Sequence, residues 1–507
     1  MGKIKGVHPP HCKNTQSNKP EALPVPEQVH IPMSMHAGKP AKPVVGVGDM
    51  VKVGQLIGES GGFVSAPVHA SVSGKVKSIN DRDPVTGQKA VSISIVSDGE
   101  QAMHEGLAPP PVTNLQEFLD AVRGSGAVGL GGAGFPTAAK LTIKNKLDFI
   151  LVNGAECEPY VTSDTRTMVD DTGYVADGIR LLRRFYEPKT VMICIEDNKP
   201  EAISKMREAF AGEEGVVIHV LPTSYPQGER KVLVYNVTGR IVPEGARLHD
   251  VGCLVSNCTT IAVFARYIKT GFPLIQKVVT VDGTAVKTPK NVLSPIGAPF
   301  RELFDFCGGF TAEPKKILAG GTMMGFAIPS LDMPVVKITN AVLAFLERDI
   351  VQPVVTACIK CSRCISKCPM RLMPLSIETA YELKKPELLD RYKVGMCVEC
   401  GSCAYVCPAK RPLVQVMLLS KDMVWEHKAA KKAAEEAKKA AEEAKAAEEV
   451  KAAEEAKAEE AKSAEEAKSA EGAKAAEGAV LVEGEKPAEG AKASEGAVGT
   501  EGAKKDE

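Results

Sequence analysis

Net charge of either sign is missing from this chain: Lys+Arg and Asp+Glu both number 63 in 507 residues, a formal charge of zero. A protein built mainly to coat nucleic acid would carry a basic excess, so no nucleic-acid partner is expected. Long apolar runs are missing as well. No stretch of eighteen apolar residues occurs, so no transmembrane segment of its own is expected. The opening Met1-Gly2-Lys3-Ile4-Lys5-Gly6 lacks the apolar stretch of a secretory signal. Aromatic residues are scarce, at 5%, and there is one tryptophan. A cytosol-side protein follows, of about three or four domains at roughly 150 residues each.

Cysteine, by contrast, is plentiful and unevenly placed. Eight of the fourteen cysteines lie between Cys358 and Cys407. A disulfide-stapled secreted domain would be short and led by a signal, so these thiols read as metal ligands in a reducing compartment. Cys157, Cys194, Cys253, Cys258 and Cys307 sit in apolar or glycine-rich surroundings and read as small hydrophobes. His8, His11 and Cys12 have no fourth ligand near them and read as structural.

Composition and periodicity divide the chain into five stretches: 1–105, 106–270, 271–345, 346–427 and 428–507. The first is rich in Val, Gly and Pro. Val44 to Gly58 reads as strand, turn, strand, and Ser65 to Val76 repeats the rhythm. The second alternates helix and strand. Asn114 is placed to cap a helix over Leu115–Val122, and apolar runs at Phe149–Val152, Val191–Ile195 and Val216–Val220 read as buried strands of an α/β domain. In the third, Val278–Gly283 and Val335–Ile338 read as strands of a small mixed domain. The fourth holds the cysteines among short helical pieces. The last is an Ala/Glu/Lys hexad, expected to be helical to about 470 and disordered beyond it. There each hexad gains a glycine, from Gly472 to Gly502, at a cost of roughly 1 kcal/mol of helix apiece.

Two cysteine runs repeat one spacing. Cys358, Cys361, Cys364 and Cys368-Pro369 form the first; Cys397, Cys400, Cys403 and Cys407-Pro408 form the second. In the bacterial ferredoxin run, three thiolates of one segment hold a [4Fe–4S] cube and the fourth ligand comes from the other segment. That assigns Cys358, Cys361, Cys364 and Cys407 to one cluster, and Cys397, Cys400, Cys403 and Cys368 to the other. Structural zinc uses paired knuckles rather than three cysteines in close succession, which disfavours a zinc reading. Two adjacent clusters mean electron transfer.

The stretch Gly129-Leu130-Gly131-Gly132-Ala133-Gly134-Phe135 satisfies the G-x-G-x-x-G pattern, but a helix precedes it where a dinucleotide fingerprint needs a strand. What remains is a loop whose amides can approach a ring or phosphate, followed by a helix near Thr137 that would offer its N-terminus to an anion, with Lys140 close by.

The first stretch is similar to the barrel-sandwich fold of biotinyl and lipoyl carriers. Its hairpin, Glu59-Ser60-Gly61-Gly62-Phe63, has no lysine to carry a swinging arm, so a structural or docking role is expected. The glycine loop with Lys140 resembles the flavin loop of the NADH-binding flavoprotein subunit of respiratory complex I. Asn153-Gly154-Ala155-Glu156-Cys157-Glu158, Tyr225-Pro226-Gln227-Gly228-Glu229 and Val255-Ser256-Asn257-Cys258-Thr259-Thr260 match later motifs of that family in the same order. This sequence departs from it at Leu130, Ala155, Arg230 and Ser256.

The whole layout looks like the RnfC/RsxC family, which belongs to the Rnf ion-translocating electron-transport complex. The resemblance implies a barrel-sandwich domain, an α/β flavin domain, a β-grasp (SLBB-type) domain, a helical double [4Fe–4S] ferredoxin-like domain and a variable tail. It implies FMN and NAD(H) held by Gly129, Gly131, Gly132, Gly134, Phe135, Lys140, Asn153, Glu156, Glu158, Tyr225, Gly228, Glu229, Asn257 and Thr260. It also implies a peripheral place on the cytoplasmic face of the bacterial inner membrane, beside integral-membrane and ferredoxin-like Rnf subunits that couple electron flow to Na+ or H+ movement. A flavin suits that role because it takes a hydride pair and passes single electrons on, with no catalytic triad or nucleophile required. The alternatives are a soluble flavin/iron–sulfur reductase, such as a cobalamin reductase, and a scaffold subunit without cofactors; the eight clustered cysteines count against the second.

Overall fold

The computed structural model describes residue 4 and residues 6–81, 90–350 and 354–475, with side chains described through 468. The chain forms one compact unit to Trp425 and a second from Glu426.

In the first stretch, alternation of apolar and polar residues produces two small antiparallel sheets. One has the order Gln28–Pro32, Ser92–Ser97, Gly74–Asn80, Met50–Val51; the other has Lys42–Pro43, Leu56–Glu59, Val68–His69. Val29, Ile31, Val76, Ile93 and Ile95 are fully buried between them. Their core is continuous with that of the following α/β region, through Phe118, Ile150 and Ile261. The N-terminal arm takes a different course. Val7 bridges to Tyr225, Lys13 Nζ donates to the carbonyls of Glu156 and Glu158 at 2.8 Å each, and Glu21–Ala22 pairs in parallel with Val292–Leu293.

The α/β region carries a four-stranded, all-parallel sheet in the order Val216–Leu221, Thr190–Glu196, Phe149–Gly154, Cys253–Asn257. The three strands read from sequence are there, and Asn114 caps helix Leu115–Gly124 by accepting from the Glu117 amide. Chain order runs outward from Phe149–Gly154 to one side, then returns to place Cys253–Asn257 on the other. That reversal makes a switch point, where a crevice opens beyond the carboxyl ends of the two strands.

A six-stranded mixed sheet follows: Glu21–Ala22, Lys290–Pro295, Gln276–Asp282, Ala341–Phe345, Lys316–Ala319, Phe326–Ala327. Residues 335–338, expected as a strand, are instead a buried turn; the strand is Ala341–Phe345, apolar throughout and parallel to Gln276–Asp282. The turn exists to place Lys337. Its ammonium donates to Pro67 O at 2.6 Å and Gly126 O at 2.8 Å, tying this sheet to both preceding regions. Lys277 donates to Lys337 O at 2.9 Å.

Burial brings both lysines down to about 7. An unfolded lysine, with a value near 10.5, holds its proton where the folded one has lost it. Stability should therefore rise with pH between about 7 and 10.5, and fall again as pH returns toward 7. Lys337→Met should remove part of that slope. At pH 9.5 it should cost on the order of 2 kcal/mol, since two buried carbonyls lose their donor. Thermal midpoints of both proteins across pH 7–10 check this, and parallel curves would contradict it.

The cysteine region is built from short helices, Arg363–Ser366, Pro374–Glu382, Pro386–Arg391 and Ser402–Tyr405, around a small apolar core centred on Ile377, Leu389 and Met417. A helix begins at Leu413 and continues through the second unit to Ala475, as expected of an Ala/Glu/Lys sequence. Side chains 428–468 are exposed. The disorder expected farther along falls outside the described residues.

Candidate functional site

At the switch point, Asn153 and Asn257 are register partners on adjacent parallel strands. The glycine loop closes over them. Gly129 N donates to Phe135 O and Gly134 N to Gly129 O, at 2.9 and 3.0 Å, so the loop folds on itself. Leu130 N donates to Thr260 Oγ1 at 3.0 Å, pinning the loop to helix Cys258–Thr270. A side chain on Gly131 would start 3.2 Å from the Asn257 amide. Gly132 has φ +114° and nothing within 4 Å of a would-be Cβ, so its face of the loop is open. Gly131, Gly132 and Ala133 are exposed.

The residues present fit an anionic planar cofactor here. Lys140 and Arg230 repel one another, and neither has a carboxylate partner among the described residues. Burial chiefly, and then Arg230, bring the Lys140 ammonium down to about 8. Two neighbouring cations without carboxylate partners, one of them on the helix that follows the open glycine loop, favour a phosphate. Thr137 Oγ1, at the loop's end, is buried without a partner. The expected helix N-terminus is a smaller contribution than anticipated, because the helix is only Thr137–Leu141, five residues, with Pro136 before it. Gly228 packs so closely on Ala155 O that any side chain would overlap it, and its carbonyl accepts from Asn153 Nδ2 at 2.9 Å.

Other residues named from the sequence are engaged with the protein itself. Glu156 accepts from the Asp164 and Thr165 amides, at 2.7 and 3.3 Å, and so caps helix Ser163–Asp170. Burial pushes its carboxyl up, against the pull of Lys13. Glu158 accepts from Met323 N and Met324 N, at 3.0 and 2.9 Å, locking the strand end to a loop of the mixed sheet. Glu229 caps helix Arg230–Thr238. Asn257 caps helix Cys258–Thr270 and donates to Asp164 Oδ2 at 2.7 Å. Asp164, which no sequence signal singled out, is a buried acid raised by that burial and held by Asn257 and Thr259. Tyr225 is almost wholly buried, packed with Val7 and Cys400.

The eight clustered cysteines line two cavities. Cys358, Cys361, Cys364 and Cys407 line one; Cys368, Cys397, Cys400 and Cys403 line the other. The two runs are built alike. Left-handed residues occur at Lys360 and Ser362 in the first and at Glu399 and Gly401 in the second, and again at Arg371 and Lys410. Helices Arg363–Ser366 and Ser402–Tyr405 each begin five residues past the first cysteine. Amides aim at sulfur in both, Lys360 N at Cys358 and Glu399 N at Cys397, 3.4 Å each.

Among the described residues no three His, Cys, Asp or Glu side chains converge on a single metal ion. Four thiols around a larger hollow suit a cube. Burial pushes Cys397 up to about 11 and Cys403 up to about 12, so both would be protonated as free thiols at neutral pH; a bound cluster would supply the charge that holds them as thiolates. The cavities differ in setting. Cys361 is exposed, whereas Cys400 is buried in an apolar cluster with Val7 and Tyr225, flanked by Cys157 and Met323. The second cavity thus abuts the loop that leaves the central strand of the parallel sheet.

Family models match along the chain: an RnfC barrel sandwich hybrid domain over residues 3–100, a Nuo51 FMN-binding domain over 122–266, an SLBB domain over 278–327 and a 4Fe-4S dicluster domain over 351–408. A curated relative from Clostridium ljungdahlii, the C-subunit of its proton-translocating ferredoxin:NAD(+) oxidoreductase complex, is 43% identical over 420 residues, covering 81% of this chain and 91% of that one. The counterpart in the Na(+)-translocating complex of Acetobacterium woodii is 40% identical over 381 residues, covering 73% and 85%. Among solved structures, an NAD+-reducing [NiFe]-hydrogenase in the H2-reduced state matches with a TM-score of 0.43 and 17% identity, over 60% of this chain and 61% of that one.

Proposed function

The chain belongs to the RnfC family of ferredoxin:NAD(+) oxidoreductase complexes, and from that premise we propose that it passes electrons between NAD(H) and ferredoxin within such a complex. FMN supplies the exchange between hydride pairs and single electrons, and two [4Fe–4S] clusters carry the single electrons. The chain's residues hold and order these groups. The Gly129–Phe135 loop admits the flavin ring or phosphate to its amides, and Lys140 with Arg230 offers charge to the phosphate. Asn153 and Asn257 fix the two strand ends beneath. Glu156, Glu158 and Glu229 keep the surrounding helices and loops in place.

The observation that carries this reading is the grouping of eight cysteines, four to a cavity, across two runs. Cys368, Cys397, Cys400 and Cys403 hold the cluster nearer the flavin. Cys358, Cys361, Cys364 and Cys407 hold the one that exchanges electrons with the rest of the complex, since Cys361 is exposed. NAD(H) enters at the flavin. The chain sits peripherally on the cytoplasmic face of the inner membrane, and integral-membrane partners move Na+ or H+.

The test is membranes containing the whole complex, supplied with reduced ferredoxin and NAD+. NADH should form, and formation should stop when this chain is removed and return when purified chain is added back. NADH formation unaffected by removal would contradict the reading. Corrinoid reduction by the isolated chain, with no restoration of membrane activity, would favour a soluble reductase instead.

A further inference from the structure

The two cysteine cavities share a plan but differ at one end. Cys400 Sγ lies 3.4 Å from Ser402 Oγ, and Ser402 is fully buried. With Cys397 aligned on Cys358, Ser402 stands where the first run has the exposed Arg363, and Cys400 stands where it has the exposed Cys361. Among the described residues no side-chain hydroxyl bonds to a cysteine of the first cavity. The hydroxyl of Tyr225, in the same apolar cluster as Cys400, is buried but makes no hydrogen bond, so Ser402 is the hydroxyl that reaches this sulfur.

Cluster ligation changes the roles of these groups. A free Cys400 thiol donates to Ser402 Oγ. Bound to iron the sulfur has no proton, so it can only accept, and a hydroxyl within reach becomes the donor. Reduction adds one electron to a [4Fe–4S] cluster, and the added negative charge spreads over its sulfurs. Hydroxyl donors therefore stabilise the reduced form more than the oxidised one and raise the potential. No proton moves, and no bond to iron forms or breaks.

We propose that Ser402 sets the potential of the cluster held by Cys368, Cys397, Cys400 and Cys403, through a hydrogen bond to the Cys400 sulfur that the other cluster lacks. Ser402 is a positioning residue in this role, acting on the electron carrier through its ligand. The proposal rests on the two-cluster reading above.

The test is a redox titration of the full-length, anaerobically purified chain, followed by electron paramagnetic resonance, with iron counted in each variant. Ser402→Ala should make one cluster three- to tenfold harder to reduce, about 28–59 mV more negative for a one-electron step. The other cluster's midpoint should stay put. Ser402→Thr should restore the wild-type value. Iron should remain at the wild-type level throughout, because among the described residues the Ser402 hydroxyl bonds only to Cys400. Unmoved midpoints in Ser402→Ala, equal shifts of both clusters, or loss of iron in that variant would each overturn the proposal alone. A wild-type chain without a second cluster would overturn the cluster reading beneath it.

Discussion

Cys407→Ala is expected to halve the iron of the chain and to abolish ferredoxin-linked NADH formation in membranes, while leaving flavin bound. Cys407 lies in the second run but lines the cavity of the first, with Cys358, Cys361 and Cys364. A cube missing one thiolate of four should be lost. The cluster of Cys368, Cys397, Cys400 and Cys403 has its own cavity and its own apolar surroundings, so four irons should remain. The glycine loop is anchored by Thr260 and folds on itself, with no contribution from residue 407. Added NADH should therefore still bleach the flavin. Retention of eight irons would show that the remote-ligand assignment is wrong. Bleaching lost while ferredoxin-linked transfer persists would show that NADH does not enter through this flavin.

Gly132→Asp should do the converse, removing flavin and keeping iron. At φ +114° an L side chain is strained, at a cost on the order of 1–3 kcal/mol. The new carboxylate would occupy the open face of the loop, where the structure leaves 4 Å clear, and would repel an anionic cofactor. Flavin affinity should fall at least about a hundredfold, near 2.8 kcal/mol at 1.4 kcal/mol per tenfold. The cysteine cavities contain no residue of this loop, so their metal content should hold. Normal flavin occupancy in this variant would place the cofactor elsewhere.

Local signals in the sequence translated directly into structure. Asn114 before an amphipathic stretch made a helix cap, and apolar runs between helices made the parallel sheet. The cysteine spacing carried its own three-dimensional grouping, because three cysteines three apart face one hollow and the fourth reaches the other; that fourth, expected on a departing helix, instead follows the short helix that carries the third. What could not be read depended on distant partners. Glu158 looked like a ligand for a cofactor, yet its oxygens go to amides at Met323 and Met324, in a different sheet. Val335–Ile338 has the composition of a strand, but Lys337 within it finds its acceptors at Pro67 and Gly126, and those bonds demand a turn. The buried acid Asp164, under Asn257 and Thr259, gave no pattern at all, since one carboxylate in a helix resembles any other.

Iron, acid-labile sulfide, zinc and flavin counted together in the anaerobically purified chain bear most directly on its place as an electron carrier. Eight irons, eight sulfides and one FMN per chain, with zinc at trace level, are expected from four thiols around each of two cavities and one open glycine loop. Two zincs with no sulfide would contradict it.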